Sequence, residues 1–133
     1  MAFVFLSARE VVMKEKKTVV LGASGNPSRY SYLAMNRLQA HHHPVVAIGR
    51  KEVTVNGIQV HKNHLAAEGV DTVTLYLNPK NQVEYYNYIL SLQPKRIIFN
   101  PGTENDELIR MAKQAGIEPV IACTLVMLAT GQY

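Results

Sequence analysis

The chain has 133 residues, 47% of them apolar and 18% charged, the balance of one globular domain of ordinary size; this argues against a two-domain enzyme and against a disordered or tail-like chain. Its formal net charge of +4 is unevenly placed, with nine basic and three acidic residues in 1–62 against five basic and seven acidic in 63–133. A basic first half without a basic face throughout argues against nucleic acid and for a small anionic ligand held by that half.

The N-terminal run Ala2 to Leu6 is apolar but only five residues long, with no positive region before it and Arg9-Glu10 soon after. It is too short for a signal-peptide core or a membrane span. Residues 1–12 read as an extension whose apolar start is suited to covering an edge or a partner, and a homo-oligomer stays open. Residues 13–133 read as the domain. Lys14, Lys16 and Lys17 precede the first strand and are expected to solvate it.

Thr18-Val19-Val20-Leu21 is a continuous apolar run and predicts a buried first strand ending at Gly22. Asn26-Pro27-Ser28-Arg29 carries helix-start chemistry, and the helix should run to about His41 with Tyr32, Leu33, Met35 and Leu38 toward the sheet. Pro44 to Ile48 is the second strand. Val53 to Val60 alternates on both sides of Asn56-Gly57 and predicts a small surface hairpin. Thr72 to Leu77 is the third buried strand, followed by Asn78-Pro79 and a helix from about Lys80 to Leu92. Arg96 to Phe99 is the fourth. The acidic group Glu104, Asp106 and Glu107 opens a further helix, which stops near Gly116. Pro119 to Ala122 is the fifth. The pattern predicts a three-layer α/β/α domain with a mostly parallel five-stranded sheet and a hairpin after the second strand.

In such sheets ligands lie beyond the carboxyl ends of the strands. Gly22-Ala23-Ser24-Gly25-Asn26-Pro27-Ser28-Arg29 is a glycine- and serine-rich turn between a buried strand and a helix, so backbone N–H groups and the helix dipole converge on one point suited to phosphate. It is not the dinucleotide pattern G-x-G-x-x-G, because Ser24 and Pro27 replace the later glycines. The acidic residue that accepts ribose hydroxyls after the second strand in NAD proteins is also missing; Gly49-Arg50-Lys51 stands there. Two cations suit a phosphorylated ribose. Coenzyme A and NADP both satisfy that chemistry.

From about Lys17 to the C-terminus the chain resembles the small stand-alone CoA-binding domain family, related to the N-terminal domain of the succinyl-CoA synthetase alpha subunit. The resemblance is carried by Val20-Leu21-Gly22-Ala23-Ser24 with Asn26-Pro27-Ser28-Arg29, by Asn78-Pro79, by Gly116-Ile117-Glu118-Pro119-Val120 and by Cys123 after the last strand. It implies a Rossmann-type domain that binds CoA or an acyl-CoA, with its phosphates on Gly22 to Arg29 and its 3′-phospho-adenosine near Gly49, Arg50 and Lys51. It also implies that Asn78-Pro79 and Asn100-Pro101-Gly102 border the pantetheine arm. The phosphorylated histidine of the synthetases lies in a further domain, and none of the five histidines here inherits its role. Non-catalytic binding is therefore expected.

The rival is an NADP-dependent reductase, for which Tyr76 and Tyr30 are the candidate acids. A structural or regulatory subunit that keeps the fold without the ligand is a third reading. His41-His42-His43 reads as a solvated helix end, and His61 and His64 as surface residues. Tyr85, Tyr86 and Tyr88 serve packing. Cys123 is placed at a strand end facing the cleft, most simply as an inert thiol. One cysteine permits no internal disulfide, and no Cys/His spacing suggests zinc, so a reducing, cytoplasmic setting without a metal is expected.

Overall fold

The computed structural model describes residues 14–133, and the extension read at residues 1–12, its apolar start included, lies outside the described residues. In chain order the elements are β1 (Thr18–Ala23), α1 (Tyr30–Ala40), β2 (Val45–Gly49), β3 (Val53–Val55), β4 (Ile58–His61), β5 (Thr72–Leu75) and α2 (Pro79–Gln82). A 3₁₀ turn (Val83–Tyr85) leads to α3 (Tyr86–Leu92), followed by β6 (Arg96–Phe99), α4 (Asp106–Gln114), β7 (Glu118–Ile121) and α5 (Thr124–Ala129).

Among the described residues the sheet has seven strands in the order β3-β4-β2-β1-β5-β6-β7, not the five expected. All neighbours run parallel except β3 and β4. The difference lies in the hairpin, which is no surface ribbon. Its apolar alternants Val55, Ile58 and Val60 fall on one face and are buried with Met35 and Leu38 of α1. Burying them draws β4 onto the free edge of β2, pairing Ala47 with Val60 and Ile48 with His61.

β1 sits between β2 and β5, with Thr18 opposite both Val45 and Thr72. Successive β1 side chains alternate between two cores. Val19 and Leu21 join Val73, Leu75, Ile97 and Phe99 under α3 and α4, whereas Val20 joins Ala47 and Ile98 under α1 and α5. Burial of each valine, leucine, isoleucine or phenylalanine side chain among them contributes about 1.5–3 kcal/mol. Three layers result, with the strand order reversing at β1.

α1 turns Ser31, Ala34, Met35 and Leu38 inward, the i, i+3, i+4, i+7 stripe, and leaves Leu33 41% exposed, contrary to its expected sheet-side place. Neither Asn26 nor Ser28 caps it; Arg29 stands at the N-cap without a side-chain bond. The helix expected over 80–92 is interrupted by the 3₁₀ turn at 83–85, and Tyr85, Tyr86 and Tyr88 are all buried against the sheet. α5, absent from the predicted pattern, packs beside α1. No helix among the described residues is long and apolar enough to cross a membrane.

Candidate functional site

Gly22 adopts φ +87°, and a Cβ there would lie 2.7 Å from the Tyr76 carbonyl oxygen, so the turn after β1 leaves the sheet tight against the end of β5. The turn is then braced by its own side chains. Ser24 Oγ accepts the Asn26 N–H at 3.0 Å, and Asn26 Oδ1 accepts both the N–H and the hydroxyl of Ser28, at 3.0 and 2.8 Å. The Arg29 N–H donates to the Asn26 carbonyl at 3.0 Å. α1 starts directly after: the Tyr32 and Leu33 amides of its first turn donate to the Arg29 carbonyl at 3.1 and 3.4 Å, and those of Tyr30 and Ser31 have no main-chain acceptor among the described residues.

Gly49 brings the second strand end to this turn. A Cβ on it would lie 2.0 Å from the Ala23 carbonyl oxygen, a place where only a glycine fits. Gly25 packs on Val53 of β3, with its would-be Cβ 3.1 Å from both valine methyls. Arg50 and Lys51 therefore emerge beside the turn, exposed to solvent. Among the described residues, Arg29, Arg50 and Lys51 take part in no ion pair.

These segments form one wall of a cleft of about 930 Å³ above β1. The other wall is Tyr76, Leu77, Asn78 and Asn81 after β5, Glu84 and Tyr85 from the 3₁₀ turn, and Pro101, Gly102 and Thr103 after β6. Asn78 caps α2 through Oδ1, which accepts the Asn81 N–H at 3.0 Å, with Pro79 at the first helical position. A cleft with a helix N-terminus and exposed cations at one end suits a phosphorylated ligand.

Of the residues nominated from sequence, Gly22, Ala23, Ser24, Asn26, Arg29, Gly49, Arg50, Lys51, Asn78, Pro101 and Gly102 line this cleft, whereas Ser28, Pro79 and Asn100 do not. Ser28 and Pro79 stand behind the lining as parts of the turn and of the α2 start. Asn100 is 2% exposed and wholly engaged: Nδ2 donates to Thr74 Oγ1 at 2.7 Å and to the Leu75 carbonyl at 2.8 Å, and Oδ1 accepts the Thr124 N–H at 2.8 Å. It ties α5 to the sheet.

Tyr30 is 72% exposed at the cleft mouth. Tyr76 is among the lining residues, but its side chain packs against the core under α1 and α5, its hydroxyl is buried without a hydrogen-bond partner among the described residues, and burial pushes its pKa up. A phenol held in that state is a poor proton donor. Cys123 precedes α5 and does not line the cleft, contrary to its expected place. His41 and His42 are exposed as expected, but His43 is half-buried and its Nδ1 accepts the Lys16 N–H at 3.0 Å. The His64 ring stacks on Tyr85 at 4.6 Å. No group of three or more metal-ligating side chains occurs among the described residues.

Among the lining residues that sequence reasoning missed are Gly25, Val53, Leu77, Tyr85 and Thr103, with Gln82 behind them. The Gly25 signal was present, one place inside the nominated turn. The others reach the cleft only through tertiary placement.

A family model described as "CoA binding domain" matches residues 16–129. A crystal structure of an uncharacterised protein shares 55% identity with the chain, covering 90% of it and 99% of that protein, with a TM-score of 0.88. A hypothetical protein from Pyrococcus horikoshii OT3 is 26% identical over 94% of this chain and 89% of its own, with a TM-score of 0.79. A Thermus thermophilus structure at 21% identity, covering 96% of this chain and 98% of its own with a TM-score of 0.79, shares the fold. Comparison with curated proteins gives no significant match.

Proposed function

The chain belongs to the CoA binding domain family, and from that premise we propose how the two walls of the cleft divide the ligand. The protein binds coenzyme A or an acyl-CoA and performs no chemistry of its own on it. The turn Gly22 to Arg29 and the start of α1 take the pyrophosphate, and Arg50 and Lys51 take the ribose 3′-phosphate. Leu77, Asn78, Pro101 and Gly102 flank the pantetheine arm. The observation that carries this division is that Gly49, pressed against the Ala23 carbonyl, sets two exposed cations beside the turn proposed to bind phosphate.

The binding domain is assigned to residues 13–133, with 1–12 as an extension. A cytoplasmic protein that engages a small molecule, not nucleic acid, fits the lone half-buried cysteine and the cations gathered at one cleft.

A charge-assisted contact contributes about 1.5–3 kcal/mol, or roughly one to two decades of affinity. Arg50→Ala and Lys51→Ala are each expected to weaken CoA binding by that order in isothermal titration, while dephospho-CoA binding stays nearly unchanged. Equal losses for both ligands would place the adenosine end elsewhere.

A further inference from the structure

Gln82 ends α2 with no solvent exposure at all, although glutamine is mostly an exposed residue. Its amide is fully engaged. Nε2 donates to the main-chain oxygens of Leu77 and Thr103, both at 2.8 Å, and Oε1 accepts from Asn105 Nδ2 at 2.9 Å. Leu77 belongs to the turn after β5 and Thr103 to the turn after β6, and both line the cleft.

The β5–β6 ladder ends at the pair Leu75 and Phe99. Beyond that register the glutamine amide takes over as a tie between the two chains. The tie is itself held from behind: Asn105 gives a further Nδ2 hydrogen bond to Tyr86 Oη at 2.8 Å, and its Oδ1 caps α4 by accepting the Glu107 and Leu108 N–H groups at 3.1 and 3.2 Å. One buried amide thus spans the gap between two turns, and a network locks its orientation.

A methionine would fill nearly the same volume without a polar group to satisfy, so packing alone does not call for glutamine here. What the amide adds is a fixed distance between two main-chain oxygens on one cleft wall.

We infer that Gln82 is a positioning residue for the ligand. It sets the separation of the Leu77–Asn78 and Pro101–Thr103 turns and so selects ligands that carry an arm fitting between them. It acts through those turns without touching the ligand. The inference rests on the division of the cleft proposed above, in which this wall takes the pantetheine arm.

The test compares wild type, Gln82→Met and Gln82→Asn by isothermal titration with CoA and with adenosine 3′,5′-bisphosphate, which keeps the phosphorylated adenosine and lacks the arm. Gln82→Asn retains an amide but is one methylene too short to reach both carbonyls, and it serves if the methionine variant fails to fold. Both variants are expected to bind CoA about tenfold more weakly, with adenosine 3′,5′-bisphosphate held to within about twofold of wild type. A residue that merely braces the fold would weaken both ligands alike. That result, or unchanged CoA affinity in both variants, overturns the inference. Wild-type protein that binds the bisphosphate as tightly as CoA would instead overturn the division of the walls on which it rests.

Discussion

At the N-terminal end of the sheet Arg96 is held on several sides, whereas at the C-terminal end Arg29, Arg50 and Lys51 stand exposed along the cleft. Arg96 Nε donates to Thr72 Oγ1 and its Nη2 to the Tyr133 main-chain oxygen, both at 2.8 Å, and its guanidinium lies 4.5 Å from the Tyr133 ring centroid. Asp71 is 3.9 Å away. Lys16 and Lys17, expected only to solvate β1, also serve the fold: Lys16 Nζ donates to the Tyr133 oxygen, and Lys17 Nζ to the Glu68 carbonyl at 2.9 Å. Charge at one end holds chain segments together, and charge at the other stands in no ion pair among the described residues, as the proposed ligand role requires. Within the basic first half, Lys16 and Lys17 thus serve the fold with Arg96, while Arg29, Arg50 and Lys51 stand apart from them along the cleft.

The comparison is broken most severely at Gly49, where fold and ligand site meet. A methyl group there would press on the Ala23 main-chain oxygen, which cannot yield as a flexible side chain would. Overpacking costs about 1–3 kcal/mol, so Gly49→Ala is expected to lower the melting temperature by roughly 5–10 °C. CoA affinity should fall with it, because the displaced strand end carries Arg50 and Lys51. Circular dichroism melts and titration measure both; an unchanged melt would mean that the end of β2 slides freely.

Arg96→Met sharpens the contrast from the other end. It removes two hydrogen bonds and the contact with Tyr133 while keeping much of the packing volume, for an expected loss of about 2–3 kcal/mol in stability. CoA affinity at saturating folded protein should stay within about twofold. A matching loss of affinity would show that the two ends are one energetic unit.

The near wall of the cleft was legible because its signals are local. Gly22, the serines and Asn26 lie in one turn, and Arg50-Lys51 follows a strand of obvious character. The far wall was legible only at Asn78, Pro101 and Gly102, because the rest of it depends on tertiary contacts between separate turns. Gln82 closes the polar run Lys80-Asn81-Gln82, and nothing beside it announces burial; its partners are Leu77, Thr103 and Asn105. α5 went unread for a related reason: its N-terminal amide at Thr124 is met by Asn100 from 24 residues away, so no capping side chain marks its start. Asn56-Gly57 announced a turn correctly, but a turn signal does not say what covers the apolar side of its strands. Here α1 and the edge of β2 did, and the sheet grew by two strands.

The smallest expected effect tests whether the N-terminal end responds to pH on its own. His43 Nδ1 accepts the Lys16 N–H at 3.0 Å, and its ring lies 4.9 Å from that of Tyr133. Burial first, and then the positive charges of His41, Lys16 and Arg96, hold its pKa below the ordinary 6.5, with Asp71 acting the other way. In the unfolded chain the imidazole takes up its proton near the ordinary value, before the folded protein does. Stability linked to this group is therefore present above about pH 6.5 and is lost as pH falls through the lowered folded value. The wild-type melting temperature should be level between about pH 8 and 7 and fall below about pH 6.5, and His43→Asn, whose amide oxygen can accept the same N–H, should flatten that decline. CoA affinity near neutral pH should be indifferent to the substitution, since His43 stands at the opposite end of the strands from the cleft. Equal acid slopes in the two proteins would assign the decline to other groups and leave the pairing at this end insensitive to the imidazole.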